Sequence, residues 1–196
     1  MEIDLSKLTP DIRHLNDMRE VLADKEFVKN SPDMDAYYMY RKLKIENDLK
    51  YNITVIRAEM LGKEFMKTKG HIHIGNFSEV YHVLEGEAIF LLQKTNNEIV
   101  EDVFAVKTKK GEAIILPGGY SHVTINPSSS VNLKTEDWSS VNCNSDYSLF
   151  EKFHGACYYY ITEGWIKNEN YKNVPELRFE EPLKEIPQDL EFLKMG

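Results

Sequence analysis

His71 and His73 stand one residue apart, at the end of a run that reads as strand. Side chains alternate along a strand, so two imidazoles at this spacing project together into one space. Glu79 follows past a Gly75-Asn76 turn signal and opens the next apolar run, where it brings a carboxylate alongside. His122 lies far along the chain, after the turn Pro117-Gly118-Gly119-Tyr120. Three neutral imidazoles and a carboxylate suit Mn, Fe, Ni, Cu or Zn, and on a six-coordinate ion they leave positions open. The expectation is one divalent ion held by His71, His73, Glu79 and His122. Its identity is not written in the residues, because occupancy depends on supply. The competing expectation is that these are core histidines that bind nothing. Tyr81 has the strand parity of Glu79 and is expected to line the same cavity. His82 has the opposite parity and is expected on the outer face. His14 and His154 have no evident partner and read as structural or surface residues.

Short apolar or alternating runs position these residues: Ile53–Ala58, Glu64–Ile74, Glu79–Leu84, Ala88–Gln93, Val103–Lys107, Ala113–Leu116 and His122–Asn126. Turn signals separate them, among them Leu61-Gly62, Glu85-Gly86, Thr95-Asn96-Asn97 and Lys110-Gly111. Many short strands with Gly-marked turns and no long helix between them predict an all-β barrel or sandwich. Upstream, Thr9-Pro10-Asp11 reads as a helix start, with Ile12, Leu15, Val21 and Leu22 as a partial stripe. Residues 35–48 are strand or irregular. Residues 127–147 are polar and read as a loop or rim. Ala156–Thr162 is a further strand, closed by Glu163-Gly164, and the charged tail wraps the barrel or ends in a short helix at Gln188–Lys194. A single domain is expected over 1–196. Residues 1–50 form its N-terminal extension and flanking strands, 51–126 the core barrel motifs, and 127–196 the closing strand and tail.

The 196 residues carry 32 acidic against 24 basic side chains, a net charge of -8. Without a Lys/Arg cluster, nucleic acid is not an expected partner. No signal peptide and no apolar stretch of about 18 residues is evident, so no membrane association is expected. The two cysteines, Cys143 and Cys157, lack CxxC spacing and read as free thiols in a reducing cytoplasm.

Gly111, Pro117, Gly119, His122 and Asn126 match the second cupin motif position for position, and His71, His73, Glu79 and Gly86 match the first in its essentials. The fold is therefore expected to be a cupin-type β-barrel, a double-stranded jelly roll, with a short N-terminal helical segment. The run Gly62-Lys63-Glu64-Phe65-Met66-Lys67-Thr68-Lys69-Gly70-His71-Ile72-His73, with Glu79-Val80-Tyr81, resembles the archaeal-type cupin glucose-6-phosphate isomerases. Arg13-x-Leu15-x-Asp17-Met18 and Asp146-Tyr147 are similar to two further stretches of that family. The resemblance covers about residues 13–150. It implies a metal on His71, His73, Glu79 and His122, a phosphate held by Thr54, Thr68, Gly70 and Tyr147 (with one of Tyr37, Tyr38 and Tyr40), and a homodimer. The sequence itself offers only the aromatic region Tyr37 to Tyr51 as an interface. Ser145 stands where the family has a histidine, and 127–145 is longer and more polar than expected.

The implied activity is interconversion of glucose 6-phosphate and fructose 6-phosphate in glycolysis and gluconeogenesis. Glu79 would act as base for proton transfer through a cis-enediolate, with Tyr81 donating or orienting. A metal-assisted hydride shift, with Glu79 only a ligand, is the other route. Rival functions are another metal-dependent cupin enzyme, such as a dioxygenase, and a non-enzymatic sugar-binding cupin. In a regular strand Thr68 and Gly70 would face away from His71 and His73, and Lys69 would face inward. Joint access to the site requires a bulge or contact at the strand's mouth.

Overall fold

The structure, a computed structural model, describes residues 3–196. In chain order the strands are β1 (Asp11–His14), β2 (Asp35–Glu46), β3 (Leu49–Ile56), β4 (Met60–Leu61), β5 (Glu64–Phe65), β6 (Ile72–Ile74), β7 (Glu79–Glu85) and β8 (Glu87–Asn96). They continue as β9 (Ile99–Lys109), β10 (Ala113–Leu116), β11 (Tyr120–Ile125), β12 (Leu133–Ser140), β13 (Asn144–Asp146), β14 (Tyr158–Ile161), β15 (Gly164–Lys167) and β16 (Arg178–Glu180). Two short helices, α1 (Lys25–Asn30) and α2 (Ser148–Phe153), accompany them.

One sheet runs β1-β2-β3-β12-β7-β10 and a second runs β11-β8-β9-β16. Alternation gives each strand one apolar face, and the two faces meet. Ile56, Val83 and Leu133 from the first sheet pack with Phe90, Leu92, Val106 and Val123 from the second in one buried cluster. The result is the all-β, cupin-type barrel expected from the motifs. Strands distant in sequence, such as β12 between β3 and β7, close the first sheet.

Four expectations need correction. Thr9-Pro10-Asp11 starts no helix: Asp11–His14 is an edge strand paired with β2. Ile12 is 40% exposed, so the stripe drawn through it is not a helix face. The N-terminal helical segment consists instead of 3-10 turns and α1, and these bury Leu15, Met18, Val21 and Leu22. Glu64–Ile74 is not one strand, since regular pairing stops after Phe65 and resumes at Ile72. The region 127–147 is not merely a loop, because it contains β12 at the centre of the larger sheet. The expected C-terminal helix is a 3-10 turn at Glu191–Lys194, whose Leu193 packs on Leu49 and Val80.

Tyr37, offered above as interface, is 3% exposed and faces the interior. Cys143 and Cys157 are buried and unpaired. Among the described residues no helix is long and apolar enough to cross a membrane.

Candidate metal centre and substrate cavity

The larger sheet presents rows of inward side chains across three adjacent strands. Register places Asp137 of β12 between Asn52 of β3 and Tyr81 of β7. Ser139 lies likewise between Lys50 and Glu79, and Thr135 between Thr54 and Val83. Glu79 and Tyr81 therefore share a face, as their parity predicts, and both line the cavity. His82 points outward, where its Nδ1 lies 2.7 Å from a Glu136 carboxylate oxygen.

The opposite wall is irregular. Lys67 bridges Ile125 and His71 bridges His122, so four steps on one side face three on the other. One extra residue is accommodated between them, and Gly70 takes a φ of +81° there. This bulge resolves the parity problem. Thr68, Gly70 and His71 all reach the cavity, while Lys69 turns outward to Glu20 (3.2 Å) and Glu151 (2.7 Å). A Cβ on Gly70 would lie 2.5 Å from Phe150 and 2.6 Å from Val123, so the bulge has no room for a side chain. The two motif turns also touch: a Cβ on Gly118 would fall 1.7 Å from the Asn76 carbonyl oxygen. Contact between these turns brings His122 to the His73–Glu79 hairpin.

The donor atoms of His71, His73, Glu79 and His122 all lie within 4.8 Å of one another. His71 Nε2 is 3.1 Å from His73 Nε2, and Glu79 Oε2 is 3.3 Å from His73 Nε2 and 3.8 Å from His122 Nε2. His73 Nδ1 donates to the Phe77 carbonyl at 3.1 Å, which turns Nε2 into the cluster. Both ring nitrogens of His122 and Glu79 Oε2 are buried without a hydrogen-bond partner. Buried lone pairs of this kind are costly unless something electrophilic satisfies them. The donor set thus fits a divalent cation, and the cluster could hold one.

The electrostatics divide the four donors. Burial, reinforced by neighbouring imidazoles, holds His71 well below the ordinary histidine value and His122 down at about 4. Both rings therefore present free lone pairs near neutrality. Burial opposes charge on His73 too, but the Glu79 carboxylate outweighs it and raises that ring to about 11. Glu79 in turn stays ionised despite its burial, chiefly through His73. Burial and the adjacent Glu79 carboxylate push the Tyr81 hydroxyl well above its usual value.

Thr54, Thr68, Gly70 and Tyr147 line the same cavity, and the Tyr147 ring lies 5.6 Å from that of His71. Tyr37 joins them, its hydroxyl accepting from the Lys69 amide at 3.2 Å, whereas Tyr38 bonds Asp35. Ser145 pairs with His73 across β13 and β6 and faces the cavity as well. Asp137 and Asn52 are residues that sequence reasoning missed. Asn52 Nδ2 donates to Asp137 Oδ2 at 2.6 Å. Burial and then the neighbouring Glu79 charge raise the Asp137 carboxyl well above the carboxylate range. The inward residues of β12, Thr135, Asp137 and Ser139, are themselves polar and give no apolar alternation, so only the register with Tyr81 reveals the place of Asp137.

The family model "Glucose-6-phosphate isomerase (GPI)" matches residues 12–176. The chain belongs to the glucose-6-phosphate isomerase family. Among curated relatives, "Glucose-6-phosphate isomerase" of Pyrococcus furiosus is 32% identical over 121 residues, which is 59% of this chain and 62% of the relative. That of Thermococcus gammatolerans is 30% identical over 120 residues, 59% of this chain and 61% of the relative. The matched part thus spans about three fifths of these glucose-6-phosphate isomerases. Among solved structures, an oxalate oxidase in complex with the substrate analogue glycolate superposes with a TM-score of 0.48. It is 14% identical and covers 60% of this chain and 58% of its own.

Proposed function

We propose that this chain interconverts glucose 6-phosphate and fructose 6-phosphate, with one divalent ion held by His71, His73, Glu79 and His122. The observation that carries this is the donor cluster at the base of a cavity also lined by Thr54, Thr68, Gly70 and Tyr147. Family membership supplies the substrate class.

Isomerisation moves a hydrogen between C1 and C2. Glu79 is buried, ionised and set among the donors, so its carboxylate takes the proton from C2 and returns it to C1. The cis-enediolate between these steps needs donors for its oxygens, and the Tyr81 hydroxyl supplies one. A bound ion supplies Lewis-acid polarisation of the substrate oxygens. The Thr54 and Thr68 hydroxyls, the Gly70 amide and the Tyr147 hydroxyl hold the phosphate, and that anchoring fixes C1 and C2 over Glu79. Glu79 and His122 are buried, which would shield the enediolate from bulk water at this end of the cavity. We assign a cytoplasmic homodimer as the setting, a reading supported by the family resemblance and by two buried, unpaired thiols.

The test is turnover of each hexose phosphate in deuterated water, by wild type and by Glu79→Gln with its metal content checked. The expected result is interconversion with solvent deuterium entering the product, and a fall of about 10²- to 10⁴-fold in Glu79→Gln. Metal-loaded Glu79→Gln at full rate without exchange would remove Glu79 as base. No turnover of either sugar phosphate by metal-loaded wild type would remove the isomerase reading.

A further inference from the structure

The stretch Arg13-x-Leu15-x-Asp17-Met18 is only partly accounted for by the fold. Leu15 and Met18 are fully buried in the core. Asp17 accepts from the His14 amide at 3.0 Å and closes the turn. Arg13 has no such structural partner. Its guanidinium is half-buried, its Nε is buried without a hydrogen-bond partner, and among the described residues no acidic side chain lies within salt-bridge distance of it. Leaving a desolvated charge uncompensated is costly, and such a charge is usually kept for an anion.

The surroundings indicate which anion. Arg13 lies over the Tyr147 ring, 5.6 Å from its centroid, and pairs in register with Tyr37 across β1 and β2. Both tyrosines line the cavity beside Gly70. The groups assigned to the phosphate are all neutral, while a phosphate monoester carries nearly two negative charges at neutral pH. Of the other cations near this end, Lys42 also lines the cavity but is exposed to solvent rather than desolvated, and the rest are engaged. Lys69 is paired with Glu20 and Glu151, Arg41 lies 3.3 Å from Asp11, and Lys50 donates to the Cys143 carbonyl at 2.6 Å.

We infer that Arg13 supplies the positive charge of the phosphate end of the cavity, acting through and alongside Tyr37 and Tyr147 as a positioning residue for a phosphorylated sugar. The inference rests on the isomerase reading for its substrate, but it makes a separate claim about binding. A guanidinium beside Tyr37 and over the Tyr147 ring offsets the dianion without forming an inward-facing ion pair.

The test is calorimetric titration of the metal-loaded protein with inorganic phosphate, together with steady-state kinetics on fructose 6-phosphate. Arg13→Gln removes the charge but keeps a polar side chain, and Arg13→Lys keeps the charge. In Arg13→Gln, phosphate affinity is expected to fall about 10- to 100-fold and KM to rise by a similar factor, with kcat within about threefold of wild type. Arg13→Lys is expected to recover most of that affinity, which a purely structural role would not predict. Thermal melting of both variants shows whether the fold is intact. Arg13→Gln with wild-type phosphate affinity and KM overturns the inference and leaves the isomerase reading standing. Equal loss in folded Gln and Lys variants also overturns it, since charge is then not the cause. Wild type that binds no phosphate and turns over no sugar phosphate overturns the isomerase reading itself.

Discussion

The cavity has two walls built by opposite means. On one side β3, β12 and β7 alternate regularly, and every second residue faces in: Thr54, Asn52, Asp137, Tyr81 and Glu79. On the other, the chain from Lys67 to His71 bulges against β11, and Thr68, Gly70 and His71 reach the cavity in spite of their spacing. The regular wall is held by ladder hydrogen bonds that no single side chain supplies. The bulged wall depends on particular residues to exist at all. A substitution in the first should therefore alter function alone, and one in the second should alter fold and function together.

The largest break in that comparison is expected from Gly70→Ala. It places a Cβ 2.5 Å from Phe150 on a backbone with φ of +81°. Strain of this kind with overpacking costs about 2–4 kcal/mol. Chemical denaturation should show that loss, and the metal content should fall with it because His71 is displaced.

A closer comparison uses the two threonines. The Thr68 hydroxyl already accepts from the Thr124 amide at 3.0 Å and so helps hold the bulge. Among the described residues the Thr54 hydroxyl has no such bond. Thr68→Val is expected to lose about 1 kcal/mol of stability as well as substrate affinity. Thr54→Val should leave the melting temperature unchanged and raise KM about three- to tenfold. Equal melting shifts for the two variants would erase the distinction between the walls.

A smaller effect is expected where the bulged segment is approached. Asp24 caps α1 by accepting from the Phe27 amide at 2.9 Å, and it also accepts from the Lys63 amide in the Gly62 turn. The Phe27 amide holds this carboxyl below its ordinary value. A depressed folded value means stabilisation that is complete above an unfolded value of about 3.9 and lost as pH falls through the folded one. Asp24→Ala should cost about 1 kcal/mol at neutral pH, and the gap from wild type should close in acid below about pH 4. A gap independent of pH would mean that the charge is irrelevant.

The same contrast explains what the sequence made legible. The ligands were readable because two motifs with fixed spacing carry them, and their Gly and Pro turns dictate close contact whatever surrounds them. The inward reach of Thr68 beside His71 was not readable by alternation, because alternation fails at Gly70. β12 was read as rim because its inward residues Thr135, Asp137 and Ser139 face a polar cavity rather than an apolar core, and no hydrophobic period remains to be seen. With β12 went Asp137 and its partner Asn52. At the N-terminus, Pro10 before a charged, partly apolar run suggested a helix. The pairing of Asp11–His14 with β2 is a long-range contact that local propensity does not register.

In the proposed function, sugar-phosphate isomerisation depends on a divalent ion held by His71, His73, Glu79 and His122. Elemental analysis of the purified chain, with glucose 6-phosphate turnover followed before chelation, after it and after metal is restored, tests it most directly. One ion per chain is expected, with turnover lost when the ion is removed and recovered on its return. A chain shown to be metal-free that still interconverts the two sugar phosphates at the full rate would contradict it.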